Sequence, residues 1–320
     1  TERYEPGDYR IEVPVDAART GIEESCPDLA IKNIEQYGKG VGDSIFRVND
    51  EYLFKFAKHE EASNALEKEI AMLPELKKRV TLPIPEVEYE GFYQGKEEAQ
   101  RFFGYGEIKG IGLKREHIVT KDGSIKEELT KQLAGFMKEI QSYDVEEAKV
   151  RGVPEVDPRV RYENERADAR EQLYPFLEEQ FSTEAAQLER FIEESFEKYL
   201  ADGENFNFTP KLIHGDLEGP DAILYDPEQD KIAGVIDFGG LEIGDPDREL
   251  WRLYAHYGRD FIEAVLKSNP HSDPERLYRK MEFFWAAQEA HRMVRRLGVE
   301  GPAGAELLVG RLRKRMEADT

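Results

Sequence analysis

The sequence predicts an α+β chain in two lobes, a small β-rich N-lobe with one helix and a larger, mainly α-helical C-lobe. Three observations carry this expectation. Apolar and polar residues alternate across residues 30–59, helical periodicity dominates beyond Gly110, and one β-like insertion at 211–240 interrupts the helices. The 320 residues, 39% of them hydrophobic, are enough to bury a sizeable core.

Taken in order, AIKNIEQYGKGVGDSIFRVNDEYLFKFAKH reads as a strand, a glycine-rich loop, a strand, a turn at Asn49-Asp50 and a third strand. A helix over Glu60 to Leu76 follows, because Ala62, Leu66, Ile70 and Leu73 recur at helical spacing with charges elsewhere. TLPIPEVEYEGF and RFFGYGEIKG read as two more strands, and the glycines ending the second mark a lobe boundary near Gly110. The N-lobe is therefore expected over 1–108 and the C-lobe over 109–320. In the C-lobe, KEELTKQLAGFMKEIQSYD, the stretch from Arg159 to Leu177, STEAAQLERFIEESFEKYL and the segments after Asp245 read as amphipathic helices. Within the insertion, AILYD and IAGVID flank a DPEQD turn as a hairpin. No internal repeat or low-complexity tract is present. A β-rich lobe, a glycine-marked linker and a helical lobe carrying one hairpin form the bilobal plan of the protein-kinase-like fold.

A net charge of −22 repels nucleic acid and anionic membranes, so neither is an expected partner, and a cationic small molecule is favoured. Only Cys26 is available, so no intramolecular disulfide forms and a reducing compartment, the cytoplasm, is expected. The N-terminus carries charges from its second residue and lacks an apolar signal region.

Phosphoryl transfer requires phosphates to be held, charge to be neutralised by a divalent metal and a hydroxyl to be oriented in line. Gly38, Gly40 and Gly42 with Ser44 would let backbone N–H groups approach a nucleoside triphosphate, although the segment lacks a P-loop ending. Lys55 on the third strand and Glu69 on the helix would pair to position phosphates, with Lys58 and Glu67 as neighbouring alternatives. The strongest signal is His214-Gly215-Asp216-Leu217 followed by Ile236-Asp237-Phe238-Gly239. Each aspartate sits at a strand-loop junction, so a hairpin brings both to one cleft. Asp216 would accept a hydrogen bond from the substrate hydroxyl and orient it, taking its proton late, and Asp237 would hold the metal bridging the phosphates.

LIHGDL, ILYD, GVIDFG and IGDP together resemble the signature of the aminoglycoside phosphotransferase family, whose members share the protein-kinase fold. GVGDSIFRVNDEYLFKF, KEIAMLPEL and FFGYGEIKG extend the resemblance, closest to the aminoglycoside 2''-phosphotransferase branch. It covers most of residues 31–110 and 211–250. The resemblance implies transfer of the γ-phosphate of ATP or GTP, with Mg²⁺, to a hydroxyl of an aminoglycoside antibiotic, with Asp216 as catalytic base and Asp237 as metal ligand. It also implies that Tyr105, Glu107 and Ile108 meet the purine through their backbone. The family's second metal ligand, Asn or His, has no direct counterpart. EGPDAIL places Ala222 beside Ile223, leaving Asp221 as the oxygen donor suited to Mg²⁺. Gly240 departs too, where the branch often has another acid. Glu242, Asp247 and Glu249 are candidate contacts for a cationic acceptor, while Trp251, Trp285 and His256 read as packing residues. A macrolide or a metabolic alcohol is the alternative acceptor, and a pseudokinase the alternative class.

Overall fold

Alternation in the sequence becomes a pleat whose two faces are both covered. The computed structural model describes residues 12–40, 42–96 and 98–318. After helix α1 (Val15–Ser25), strands β1 (Ile34–Lys39), β2 (Asp43–Val48), β3 (Tyr52–Ala57), β4 (Tyr89–Gln94) and β5 (Ala99–Gly106) form a five-stranded antiparallel sheet in the order β1-β2-β3-β5-β4. Asn49 and Asp50 both take φ 56°, the left-handed pair that a two-residue hairpin turn with the right twist requires. One sheet face buries Phe46, Phe54, Phe56 and Phe102 against Ala18 and Ile22 of α1. The other buries Leu53, Phe103 and Tyr105 against Leu66 and Leu73 of α2 (Glu60–Lys77). Each such aromatic or aliphatic side chain contributes roughly 1.5–3 kcal/mol of burial. Double coverage explains why β3 is buried almost throughout, including Lys55.

Two differences from the sequence reading concern this lobe. Residues 15–25, which carry no motif, form α1; its Gly21 lies where a Cβ would be 2.6 Å from Tyr93 Cβ, so glycine lets the helix seat on β4. The strand expected from Thr81 begins only at Tyr89. Pro83 and Pro85 lack the N–H that a ladder needs, and the extended segment docks elsewhere, the Pro83 carbonyl accepting the Val235 N–H at 2.9 Å.

Beyond Gly106, β6 (Ile111–Gly112) joins the expected hairpin, now β8 (Ile223–Asp226) and β9 (Lys231–Val235), in the order β6-β8-β9. A second ribbon pairs β7 (Lys211–Ile213) with β10 (Glu242–Gly244). Helices α3 (Arg115–Ile118), α4 (Glu127–Gln141), α5 (Val145–Val150) and α6 (Pro158–Asp168) come first; a π-helical turn at Ala169–Leu173 then leads into α7 (Tyr174–Gln180) and α8 (Ala185–Ala201). The short turn α9 (Gly219–Ala222) precedes β8, and α10 (Arg248–Tyr257), α11 (Arg259–Ser268), α12 (Pro274–Glu300) and α13 (Pro302–Ala318) complete the lobe. One continuous apolar core runs from the α2 face of the sheet into these helices. The protein-kinase-like architecture is therefore present. Among the described residues, no helix is long and apolar enough to cross a membrane.

Candidate active site

Lys55 sits mid-sheet, paired with Ile45 and Phe103 on the neighbouring strands, and is only 5% exposed. Its ammonium donates to Glu69 Oε1 at 2.7 Å and to Asp237 Oδ1 at 3.1 Å, with Asp43 Oδ2 at 3.5 Å. Burial opposes that charge, yet Asp237, Glu69 and Asp43 outweigh it and hold the lysine well above its ordinary value. Burial pushes the Glu69 carboxyl up, against the pull of Lys55. Lys55 in turn holds Asp237 below the usual carboxylate range. The expected Lys55–Glu69 pair is thus formed, and Asp237 joins it.

The two aspartates of the insertion are held by backbone geometry. Gly215 takes φ 75°, and a Cβ there would lie 2.1 Å from the Gly240 carbonyl oxygen, so the chain can turn at this point only as glycine. A Cβ at Gly240 would meet Asp216 Cβ at 2.8 Å, which shows how closely the Asp216 loop and the segment after Asp237 pack. His214 donates its N–H to Glu249 Oε2 at 2.5 Å, its ring Nε2 lies 3.2 Å from the Ile236 carbonyl and its ring rests 4.6 Å from that of Phe238. Asp237 is left-handed, φ 67° and ψ 64°. Lys68 of α2 anchors the backbone just past Asp237, donating to the Gly239 and Leu241 carbonyls at 2.7 and 2.9 Å. The Asp216 side chain stays 40% exposed. Burial raises its carboxyl above the ordinary value, opposed by Arg252.

The glycine turn lies at the β1–β2 end of the sheet. Gly40 donates to the Asp43 carbonyl at 3.0 Å, and a Cβ on Gly40 would be 2.5 Å from Asp43 Oδ1. Lys58 ties the turn down, its N–H donating to the Gly42 carbonyl at 2.9 Å and its ammonium to the Gly40 carbonyl at 2.7 Å. Gly38 follows a bulge in β1, and Ser44 is fully buried in β2 with its hydroxyl unpartnered among the described residues. At the far end, Tyr105 is buried opposite Leu53. Glu107 commits its carboxylate to Arg47 at 2.7 Å and Lys109 at 2.5 Å, and Ile108 packs on Gly234 of β9. The side chains of this linker are therefore occupied with structure.

Residues 33–298 match the APH phosphotransferase enzyme family. The chain belongs to that family. Among solved structures it is similar to the GDP and kanamycin complex of APH(2")-IIia, at 27% identity and TM-score 0.85 over 95% of this chain and 99% of that one. It shares its fold with the streptomycin-ATP-APH(2")-IIa ternary complex, at 21% identity and TM-score 0.69 over 94% and 97% of the two chains. The fold is also that of a macrolide 2'-phosphotransferase type I, at 14% identity and TM-score 0.66 over 94% and 98%.

Within this phosphotransferase, the acidic residues after Asp237 depart from the expected acceptor contacts. Glu242 is buried and bridged by Arg161 at 2.6 and 2.9 Å and by Arg248 at 3.2 Å. Asp247 is taken by Lys280 at 2.6 Å and His271 at 3.1 Å. Glu249, 2% exposed, lies beneath the Asp216 loop. All three carboxylates are engaged by this chain's own donors, Glu242 and Glu249 from buried positions and Asp247 from a partly buried one. Asp221 is different, being exposed on α9, whose last carbonyl, that of Ala222, accepts the Ile236 N–H at 2.9 Å and so lays the turn beside the approach to Asp237.

Asp43, Lys68, Glu218 and Arg252 do not stand out in the sequence. Lys68 stands next to Glu69, and Arg252 follows Arg248 by one helical turn, but no local pattern distinguishes either from the many charged residues on amphipathic helices.

Proposed function

We propose that this phosphotransferase moves the γ-phosphate of GTP or ATP to a hydroxyl of an aminoglycoside. The observation that carries the reading is the buried Lys55–Glu69 pair, joined by an exposed Asp237, next to a loop presenting a part-exposed Asp216. The likeness to a relative bound to GDP and kanamycin supports the donor and the acceptor class, and the net charge of −22 favours a cation. In this reading residues 1–108 form the nucleotide lobe and 109–320 supply catalysis and the acceptor region. Gly38, Gly40, Gly42 and Ser44 flank the phosphates, and the backbone of Tyr105, Glu107 and Ile108 meets the purine.

The proposed reaction balances simply. The acceptor hydroxyl donates a hydrogen bond to Asp216, its oxygen forms a bond to the γ-phosphorus, and the bond to the β–γ bridging oxygen breaks, releasing nucleoside diphosphate. The hydroxyl proton passes to Asp216 and then to solvent. Lys55, held by Glu69, binds phosphate oxygens as a fixed charge. Mg²⁺ fits the donor set. One Asp237 oxygen is engaged by Lys55, leaving the other for a hard cation, and Asp221 is the second proposed ligand. Among the described residues no group of three or more His, Cys, Asp or Glu side chains could hold a metal ion. When bound, Mg²⁺ would neutralise phosphate charge. Cys26 is a buried free thiol, and we place the enzyme in the cytoplasm.

Incubation with Mg²⁺, kanamycin and either GTP or ATP tests the reading by mass spectrometry, with gain of one phosphoryl group on kanamycin expected. Modification of a macrolide and of no aminoglycoside would overturn the acceptor, and failure to release diphosphate with any acceptor would overturn the kinase reading.

A further inference from the structure

Arg252 of α10 has no part in the reaction as proposed, yet its guanidinium spans the two carboxylates of the catalytic loop. Its Nη2 lies 2.6 Å from Asp216 Oδ1 while its Nη1 donates to Glu218. Arg252 is itself only 9% exposed. Glu218 is gripped from a second helix, by Arg292 Nη2 of α12 at 3.0 Å, and His256 Nε2 of α10 lies 3.4 Å from the same carboxylate. The loop is short between the two acids, the Glu218 N–H donating to the Asp216 carbonyl at 2.6 Å. A planar fork fixed by donation to Glu218 from one nitrogen sets the charge of the other against the buried Asp216 Oδ1, and so holds two carboxylates in one relative orientation, which a lysine ammonium on its flexible stem cannot do.

The charge has a second effect. Asp216 is part-exposed, and two carboxylates of one loop would together attract any ammonium group an acceptor carries. An ammonium seated on Asp216 would displace the hydroxyl that Asp216 has to orient. Arg252 already sets a cation that cannot leave the protein against the buried Oδ1 of that carboxylate, which lowers its pull on a second cation.

We propose that Arg252 is a positioning and specificity-determining residue: its fork aims Asp216 at the acceptor hydroxyl and withholds Asp216 and Glu218 from the acceptor's ammonium groups. The proposal rests on the reading of Asp216 as the base. Removing the fork releases the base and opens an ammonium trap, so turnover falls while a cationic acceptor binds more tightly in an unproductive pose. A merely structural role would instead weaken acceptor binding and turnover together.

The test is steady-state kinetics of R252M and R252K with kanamycin and GTP, alongside thermal melts. For R252M with a near-wild-type Tm, kcat should fall about tenfold or more, KM for kanamycin should fall and KM for GTP should hold, with R252K intermediate. Unchanged kcat, or a kanamycin KM that rises as kcat falls, overturns the proposal. If R252M does not fold, R252K decides: lowered kcat with lowered kanamycin KM supports the proposal, and wild-type parameters overturn it. If the wild-type enzyme leaves kanamycin unmodified, the acceptor reading is what has failed. The positioning role is then judged on GTP hydrolysis to phosphate, which R252M should slow and which, unchanged, would overturn it.

Discussion

Lys55 keeps its charge in a buried place because Asp237, Glu69 and Asp43 surround it, and Lys55 opposes the burial that pushes the Glu69 carboxyl up. Neither residue of the 2.7 Å pair is useful without the other. Lys55→Ala and Glu69→Ala should therefore be strongly non-additive, the double variant resembling the worse single one in a double-mutant cycle on kcat/KM. Simple additivity would show that the pair does not act as a unit. Asp221 supports a separate expectation, since it is exposed beside the strand entering Asp237 and has an oxygen to offer. Asp221→Ala should raise the Mg²⁺ concentration for half-maximal activity far more than it alters acceptor KM, and Asp221→Asn, which keeps an oxygen ligand, should do so less. Equal Mg²⁺ dependence in wild type and Asp221→Ala would remove Asp221 from the metal site.

At the scale of elements, α10 carries the catalytic loop through Glu249, which accepts the N–H groups of His214 and Gly215 from a fully buried position. Burial raises this carboxyl to about 7. The folded protein then binds a proton that the unfolded chain, near an ordinary 4.5, has already lost, so this contribution to stability is full at low pH and drains as pH rises toward 7. Glu249→Gln keeps an acceptor without titrating. Its Tm should fall less than that of wild type between pH 5 and 7.5; parallel slopes would refute the assignment.

The elements legible in the sequence were those whose period is complete within one segment: β2 and β3 around Asn49-Asp50, α2, and the β8–β9 hairpin. Lys55, Glu69, Asp216 and Asp237 were legible because each sits at a defined place in such a segment. Helix α1 was missed because its apolar face is short, with only Ala18, Gly21 and Ile22 buried. The roles of Lys68, Arg252 and Glu218 arise from contacts between elements far apart in the chain, and so do the partners that occupy Glu242, Asp247 and Glu249. Spacing along one segment contains no record of those contacts.

For the whole molecule, a net charge of −22 sets up a field that attracts a cationic acceptor and opposes an anionic nucleotide. Raising ionic strength from about 0.01 M to about 0.15 M shortens the Debye length from about 30 Å to about 8 Å. KM for kanamycin should rise over that range while KM for GTP stays level or falls, and a kanamycin KM indifferent to salt would show that the field plays no part in capture. The β-rich lobe and the helical lobe meet at Lys55 and Asp237, so in the proposed mechanism substitution on the loop that comes after β7 should separate transfer from nucleotide binding. The most direct measurement is single-turnover transfer of labelled γ-phosphate from GTP to kanamycin by the wild-type enzyme and Asp216→Asn. Wild type should label kanamycin, and Asp216→Asn should do so about a hundredfold or more slowly at unchanged GTP affinity; transfer by the variant at close to the wild-type rate would contradict Asp216 as the base and the mechanism built on it.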